Sequence, residues 1–150
     1  MLIVEAANPH DPGPRAVLEA SHALMRELFE PEDNYFLDLD ALSGDSIRFF
    51  AARRGEETLG TAALANMEGY GEVKSMFTTP AARGQGVAAA LLRAIEDEAR
   101  VQGLPALRLE TAEALEAAVH LYTRHGFTRR GIFGGYRENQ TSVFMEKPLV

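Results

Sequence analysis

The stretch Phe77-Thr78-Thr79-Pro80-Ala81-Ala82-Arg83-Gly84-Gln85-Gly86-Val87-Ala88 constrains the fold of this chain more than any other. Before it, Glu72 to Thr78 alternates as a strand should. Pro80 ends that alternation. Behind Gly86, the residues Val87, Ala88, Leu91, Leu92, Ile95 and Ala99 recur at helical spacing, and Gly103 and Pro105 stop the helix. A strand, a short loop and a helix that opens on glycines leave unpaired N–H groups at the positive end of the helix dipole, which favours an anion. Glycine lets a backbone approach a pyrophosphate closely, and Ala88 and Ala89 keep the approach open. Loops of this kind are more often plain helix caps than binding sites. Two nucleotide motifs are excluded: Ala89 stands where G-x-G-x-x-G needs its third glycine, and no lysine follows for G-x-x-x-x-G-K-[ST].

The remaining elements arrange themselves around this junction. Leu2 to Glu5 reads as a short strand. An amphipathic helix with Pro14 in its first turn carries Val17, Leu18, Ser21, Leu24, Met25, Leu28 and Phe29, and ends before Pro31. A short helix follows around Leu37 to Leu42. Ile47 to Arg54 and Thr58 to Asn66 read as strands about a Gly55-Glu56-Glu57 turn. After the second long helix come a strand from Ala106 to Thr111 and a helix from Ala117 to His125 closed by Gly126. Strands near Gly131 to Phe133 and from Thr141 to Lys147 finish the chain. The expected class is α/β, with a mixed, mostly antiparallel sheet and helices on both faces. Without repeats or linkers, residues 1–150 read as one domain.

Composition narrows the function. The formal net charge of −7 disfavours a polyanionic partner, and Arg129-Arg130 is too short to serve as a basic stripe, so no nucleic acid is expected. There is no cysteine, which removes disulfides, thiolate metal sites and a cysteine nucleophile together. The histidines show no metal-ligand spacing, so no metal is expected. The start Met1-Leu2-Ile3-Val4-Glu5 lacks the pattern of a signal peptide. No apolar run nears the roughly 18 residues that span a bilayer, so the expected location is cytoplasmic with no membrane partner.

Arg83-Gly84-Gln85-Gly86-Val87-Ala88 resembles the R/Q-x-x-G-x-G/A signature of the GNAT family of N-acetyltransferases. Two further segments resemble that family at the expected distances. One is Ala118-Val119-His120-Leu121-Tyr122-Thr123-Arg124-His125-Gly126-Phe127, like its A-x-x-L-Y-x-x-x-G-F segment. The other is the strand Glu72 to Phe77, like the one before its signature loop. The tail Ser142 to Lys147 resembles a bacterial small-molecule subgroup. The resemblance implies acetyl-CoA as cosubstrate, held where the strand before the loop splays from its neighbour. Met76 and Thr78 would then pair with pantetheine amides, and the N–H of Met76 or Phe77 would polarise the thioester carbonyl. The N–H groups of Gly84, Gln85, Gly86, Val87 and Ala88 would hold the pyrophosphate, with Arg83 nearby.

The resemblance makes Tyr122 the general acid, since a phenol with a reference pKa of about 10 keeps its proton at neutral pH. Glu72, at the start of the splayed strand, is the expected base, directly or through water; Glu110 on the next strand is its rival. A carboxylate near pKa 4.3 needs burial or a water relay for that work. His120, on the helix of Tyr122, reads as a packing or solvent residue. Relatives often carry Asn or Gln where this chain has Ala114-Leu115-Glu116, which weakens any transfer of substrate by analogy. Lys74, Arg48 and Arg137 are the cations that an amino-acid acceptor's carboxylate would need. Tyr35, Phe36, Phe133 and Tyr136 either line an aromatic pocket or form core. The expected reaction is acetyl transfer to a primary amine of a small molecule, an amino acid among the candidates. Two alternatives stand beside it: a protein or peptide N-acetyltransferase, which needs an open groove, and a non-catalytic acyl-CoA-binding module. Exchange of late strands between subunits would make a homodimer.

Overall fold

The computed structural model describes residues 1–149. Its strands are β1 (Leu2–Ala6), β2 (Ile47–Arg54), β3 (Glu57–Met67), β4 (Tyr70–Thr78), β5 (Ala106–Ala112), β6 (Thr128–Arg130) and β7 (Ser142–Pro148). Its helices are α1 (Pro12–Leu28), α2 (Leu39–Leu42), α3 (Val87–Val101) and α4 (Glu116–Arg124). The strands form one sheet in the order β1-β2-β3-β4-β5-β7-β6. Every neighbouring pair is antiparallel except β4 and β5, which α3 joins as parallel strands. The class is α/β with a mixed, mostly antiparallel sheet, as the sequence leads one to expect.

Burial explains why β3 does not alternate. Leu59 to Ala65 is buried without a break, because helices cover both faces of this central strand. On one face Leu91, Leu92, Ile95 and Ala99 of α3 pack with Ala62, Leu64, Val73, Leu107 and Leu109. On the other, Leu18 of α1 and Leu42 of α2 pack with Phe49 and Ala63. The small residues Ala62 and Ala63 let helices approach from both sides. Gly60 goes further: a Cβ there would lie 2.8 Å from the Phe77 carbonyl and 2.8 Å from Val87 Cγ1. That close contact seats the first turn of α3 against the sheet, and the loop before it is positioned with it.

Two expectations need correction. The strand near Gly131 to Phe133 lies instead at Thr128–Arg130. Past it, Phe133 leaves the ladder and packs edge-on against Tyr70, Tyr136 and Phe144, with ring centres 5.7, 5.4 and 5.6 Å away. The second helix shrinks to Leu39–Leu42, its start fixed by the Asp38 carboxylate, which accepts from the Ala41 N–H at 2.8 Å. Ahead of it, Pro31–Asp33 forms a 3₁₀ turn.

Candidate active site

β4 and β5 pair only at Gly71 with Leu107 and Glu72 with Arg108. Both strands continue, β4 to Thr78 and β5 to Ala112, but they part beyond Glu72. The other edge of β4 is irregular as well. Thr61 faces Phe77 and Ala63 faces Lys74, so Ser75 and Met76 together oppose Ala62. This is a β-bulge, which bends a strand and redirects its side chains. Ser75 has φ 54°, the only positive φ of a non-glycine among the described residues. The Thr61 hydroxyl donates to the Ser75 carbonyl at 2.9 Å and holds the bulge. Nothing in Lys74-Ser75-Met76 announces it: the residues alternate like any strand.

A cavity of about 140 Å³ fills the gap. Val73, Lys74, Ser75 and Met76 form one wall, Glu110, Thr111 and Ala112 the other, and Tyr122 enters from α4. Met25 of α1, Phe29 just past its end, and Asp33, Asn34, Tyr35 and Phe36 line it as well. Tyr122 is 5% exposed, with its ring edge-on to Phe127. Burial pushes its phenol well above the ordinary tyrosine range, so the proton stays on at neutral pH.

The two candidate carboxylates differ in place. Glu110 lines the cavity and accepts a hydrogen bond from Ser142 Oγ at 2.6 Å. Burial raises its pKa above the usual carboxylate value; Ser142 and Lys74 pull the other way, while Glu72 and Asp33 add to the rise. Glu72 is buried too, but it is not among the residues that line the cavity. It accepts a hydrogen bond from the Tyr136 hydroxyl and faces Lys74 Nζ at 3.5 Å. Lys74 Nζ also donates to the Tyr136 hydroxyl at 2.8 Å and to the Tyr35 carbonyl at 3.1 Å. This knot ties β4, the Tyr35 segment and the loop before β7 together. Burial and the adjacent Glu72 carboxylate hold the Tyr136 phenol far above its usual range.

The glycine loop lies at the other end of the gap. Gly84 has φ 78° and Gly86, the cap of α3, has φ 81°. A Cβ on either would meet nothing within 4 Å; glycine is needed there for its backbone angles, not for room inside the protein. Ala90 N–H is bonded to the Gly86 carbonyl at 3.0 Å, while no side chain caps the helix start, so the N–H groups of its first turn remain available. Gln85 is held by Arg54, whose Nη1 donates to Oε1 at 2.8 Å. Arg83 is exposed beside it, Val87 is buried and Ala88 half-buried.

The sequence pattern of the Acetyltransferase (GNAT) family matches residues 16–127. This chain belongs to that family. A relative in Azospirillum brasilense, an IAA acetyltransferase, is 44% identical over 135 residues, covering 89% of this chain and 88% of its own. The uncharacterized N-acetyltransferase YsnE of Bacillus subtilis (strain 168) is 38% identical over 128 residues, with 83% and 85% covered. A crystal structure from Klebsiella pneumoniae, of a proposed acyl-CoA N-acyltransferase, superposes with a TM-score of 0.84 at 34% identity, covering 100% of this chain and 99% of its own. This GNAT protein is therefore an acetyl-CoA-dependent N-acetyltransferase. Among the described residues no helix is long and apolar enough to cross a membrane.

Within this acetyltransferase the gap brings together Met76, Tyr122 and Glu110. Phe77 turns its side chain into the protein and Thr78 ends β4. His120 is exposed on α4. Sequence reading missed Asp33, Ser75 and the Tyr136 tie to Glu72. Asp33 and Tyr136 reach the site from irregular segments, whose course no periodicity foretells.

Proposed function

We propose that this GNAT enzyme transfers acetyl from acetyl-CoA to a primary amine of a small molecule, as a cytoplasmic protein with residues 1–150 acting as one domain. The observation that carries the reading is the cavity with Glu110 and Tyr122 both on its walls. Glu110 takes the proton that the attacking nitrogen sheds, and its raised pKa makes it a better base than an exposed carboxylate. Tyr122 offers its O–H to the departing sulfur. Because burial weakens it as an acid, it acts mainly by keeping its hydrogen bond on the developing thiolate. The C–N bond forms as the C–S bond breaks, and the proton released at nitrogen balances the one that sulfur finally gains. Glu72, the base expected from sequence, is given a holding role here, through Tyr136 and Lys74.

The donor fits the rest of the gap. Beyond Glu72 the edge of β4 has no β5 partner, so the backbone of Met76 and Thr78 is free to pair with pantetheine amides, and the N–H of Met76 or Phe77 to meet the thioester oxygen. The N–H groups from Gly84 to Ala88 suit a pyrophosphate, with Arg83 beside them. A small acceptor is favoured over a protein chain because Met25 of α1 and residues 33–36 also line the cavity and its volume is only about 140 Å³, where a peptide would need an open groove. The name of the Azospirillum relative also points to a small molecule. The test is release of CoA thiol from acetyl-CoA with small amines and with short peptides, beside Tyr122→Phe. Amine-dependent release that falls strongly in the variant is expected. Acetylation of peptides alone would replace the acceptor class, and acetyl-CoA binding without release from any amine would point to a binding module.

A further inference from the structure

We infer, on the basis of that reading, that Ser142 and Asn139 are positioning residues for the base. They fix one carboxylate oxygen of Glu110 and leave the other to the acceptor nitrogen. Ser142 faces Ala112 across the β5–β7 ladder, and Glu110 stands two residues before Ala112 on the same face of β5. That diagonal brings Ser142 Oγ to 2.6 Å from Glu110 Oε2. A hydroxyl has one hydrogen to give and two lone pairs to receive, so its other partner decides where the hydrogen goes. That partner is Asn139. Its Oδ1 accepts from the Thr141 N–H at 2.8 Å and from the Ser142 N–H at 2.7 Å. Backbone N–H groups only donate, so the amide oxygen lies on that side and the nitrogen on the other. Asn139 Nδ2 then donates to the Arg137 carbonyl at 3.1 Å and to Ser142 Oγ at 3.0 Å. With Asn139 donating to it, Ser142 sends its single hydrogen to Glu110.

Glu110 Oε1 stands differently. It takes no hydrogen bond among the described residues, and it is not one of the buried atoms left without a partner. It therefore keeps open surface, on a side chain that lines the cavity. One oxygen anchored and one open is what a base needs, because an unanchored carboxylate spends time in rotamers that miss the nitrogen. The anchor also bears on charge. Burial raises the Glu110 pKa, and the Ser142 hydrogen bond is the chief influence that lowers it, ahead of Lys74 on β4. Glu72 on β4 and Asp33 in the turn after α1 raise it. The Tyr136 phenol feels the Glu110 charge in turn, and Tyr122 shares the cavity as a neutral phenol. Without the Ser142 hydroxyl the carboxylate would keep its proton to higher pH.

The test is the pH profile of kcat/KM for the amine in wild type, Ser142→Ala, Ser142→Thr, Asn139→Asp and Glu110→Gln. Ser142→Ala should move the acid limb to higher pH and cost about tenfold below it, the worth of one hydrogen bond to a charged group. Ser142→Thr keeps the hydroxyl and should return the limb to its wild-type place. Asn139→Asp keeps the acceptor for the turn but has no N–H to give. The Ser142 hydrogen then turns to it, and the limb should rise again; the added charge pushes the same way. In a Glu110→Gln background, Ser142→Ala should change little. A limb that stays in place in Ser142→Ala or in Asn139→Asp, or a loss in Ser142→Ala that is equal at every pH, would overturn the inference while leaving Glu110 as the base. A limb that survives in Glu110→Gln would overturn the reading of Glu110 and the inference with it. Asn139→Asp reads the same limb, so the inference stays testable even if Ser142→Ala folds poorly.

Discussion

The two ends of the gap, proposed to take donor and acceptor, are built by different means. At the donor end, Gly84 and Gly86 set positive φ angles and α3 begins directly behind them. The groups on offer there are backbone N–H groups, and side chains matter mainly by being absent. At the proposed acceptor end, the groups on offer are side chains carried by β5, α4 and the turn after α1, beside buried polar contacts such as Glu72 with Tyr136 and Lys74. Backbone recognition suits a cosubstrate common to a whole family. Side-chain recognition can change the acceptor without disturbing it.

Substitutions should separate the two ends. The largest effect is expected for Tyr122→Phe: kcat should fall about 100-fold or more, the usual worth of a donor placed on developing negative charge, with acetyl-CoA affinity little changed. A large loss of acetyl-CoA binding instead would show that Tyr122 belongs to both ends. Next comes Lys74→Met, which leaves the buried Glu72 carboxylate with the Tyr136 hydroxyl but without its cation. It should cost about 3 kcal/mol in urea unfolding and raise KM for the amine, because the Tyr35 segment loses its tie. Gly86→Ala should cost about 1–2 kcal/mol, since alanine resists φ 81°, and raise KM for acetyl-CoA but not for the amine. The smallest effect is on stability in Glu110→Gln. The raised pKa of Glu110 means that its ionisation opposes folding. Wild-type stability from this group is present below the unfolded carboxylate pKa and is lost as pH rises through the folded one. The variant should therefore gain in Tm over wild type at pH 7 and lose that advantage in acid.

The same division explains what the sequence revealed. Arg83 to Ala88 stood out because a strand, a glycine loop and a helix start combine there with a family pattern, and Tyr122 because its segment repeats another. The element order followed from periodicity. The bulge at Ser75 was not readable, since positive φ at a serine comes from Thr61 and the pairing of β3 with β4, contacts distant in sequence. Glu72 and Glu110 looked alike as strand carboxylates. Only the divergence of β4 from β5, together with Tyr136 arriving from a loop, separates one that lines the cavity from one that is tied behind it. Phe133 was read as strand because its packing against Tyr70 and Phe144 is tertiary.

The most direct test of the reacting pair is the pH dependence of kcat/KM for the amine in wild type, Glu110→Gln and Glu72→Gln. A base must be ionised, so the wild-type rate should rise with pH along an acid limb set above the ordinary carboxylate range, where burial holds Glu110. The account predicts that Glu110→Gln lowers the rate and abolishes this limb, whereas Glu72→Gln keeps it. A limb that survives in Glu110→Gln and disappears in Glu72→Gln would contradict the account and return the proton to Glu72.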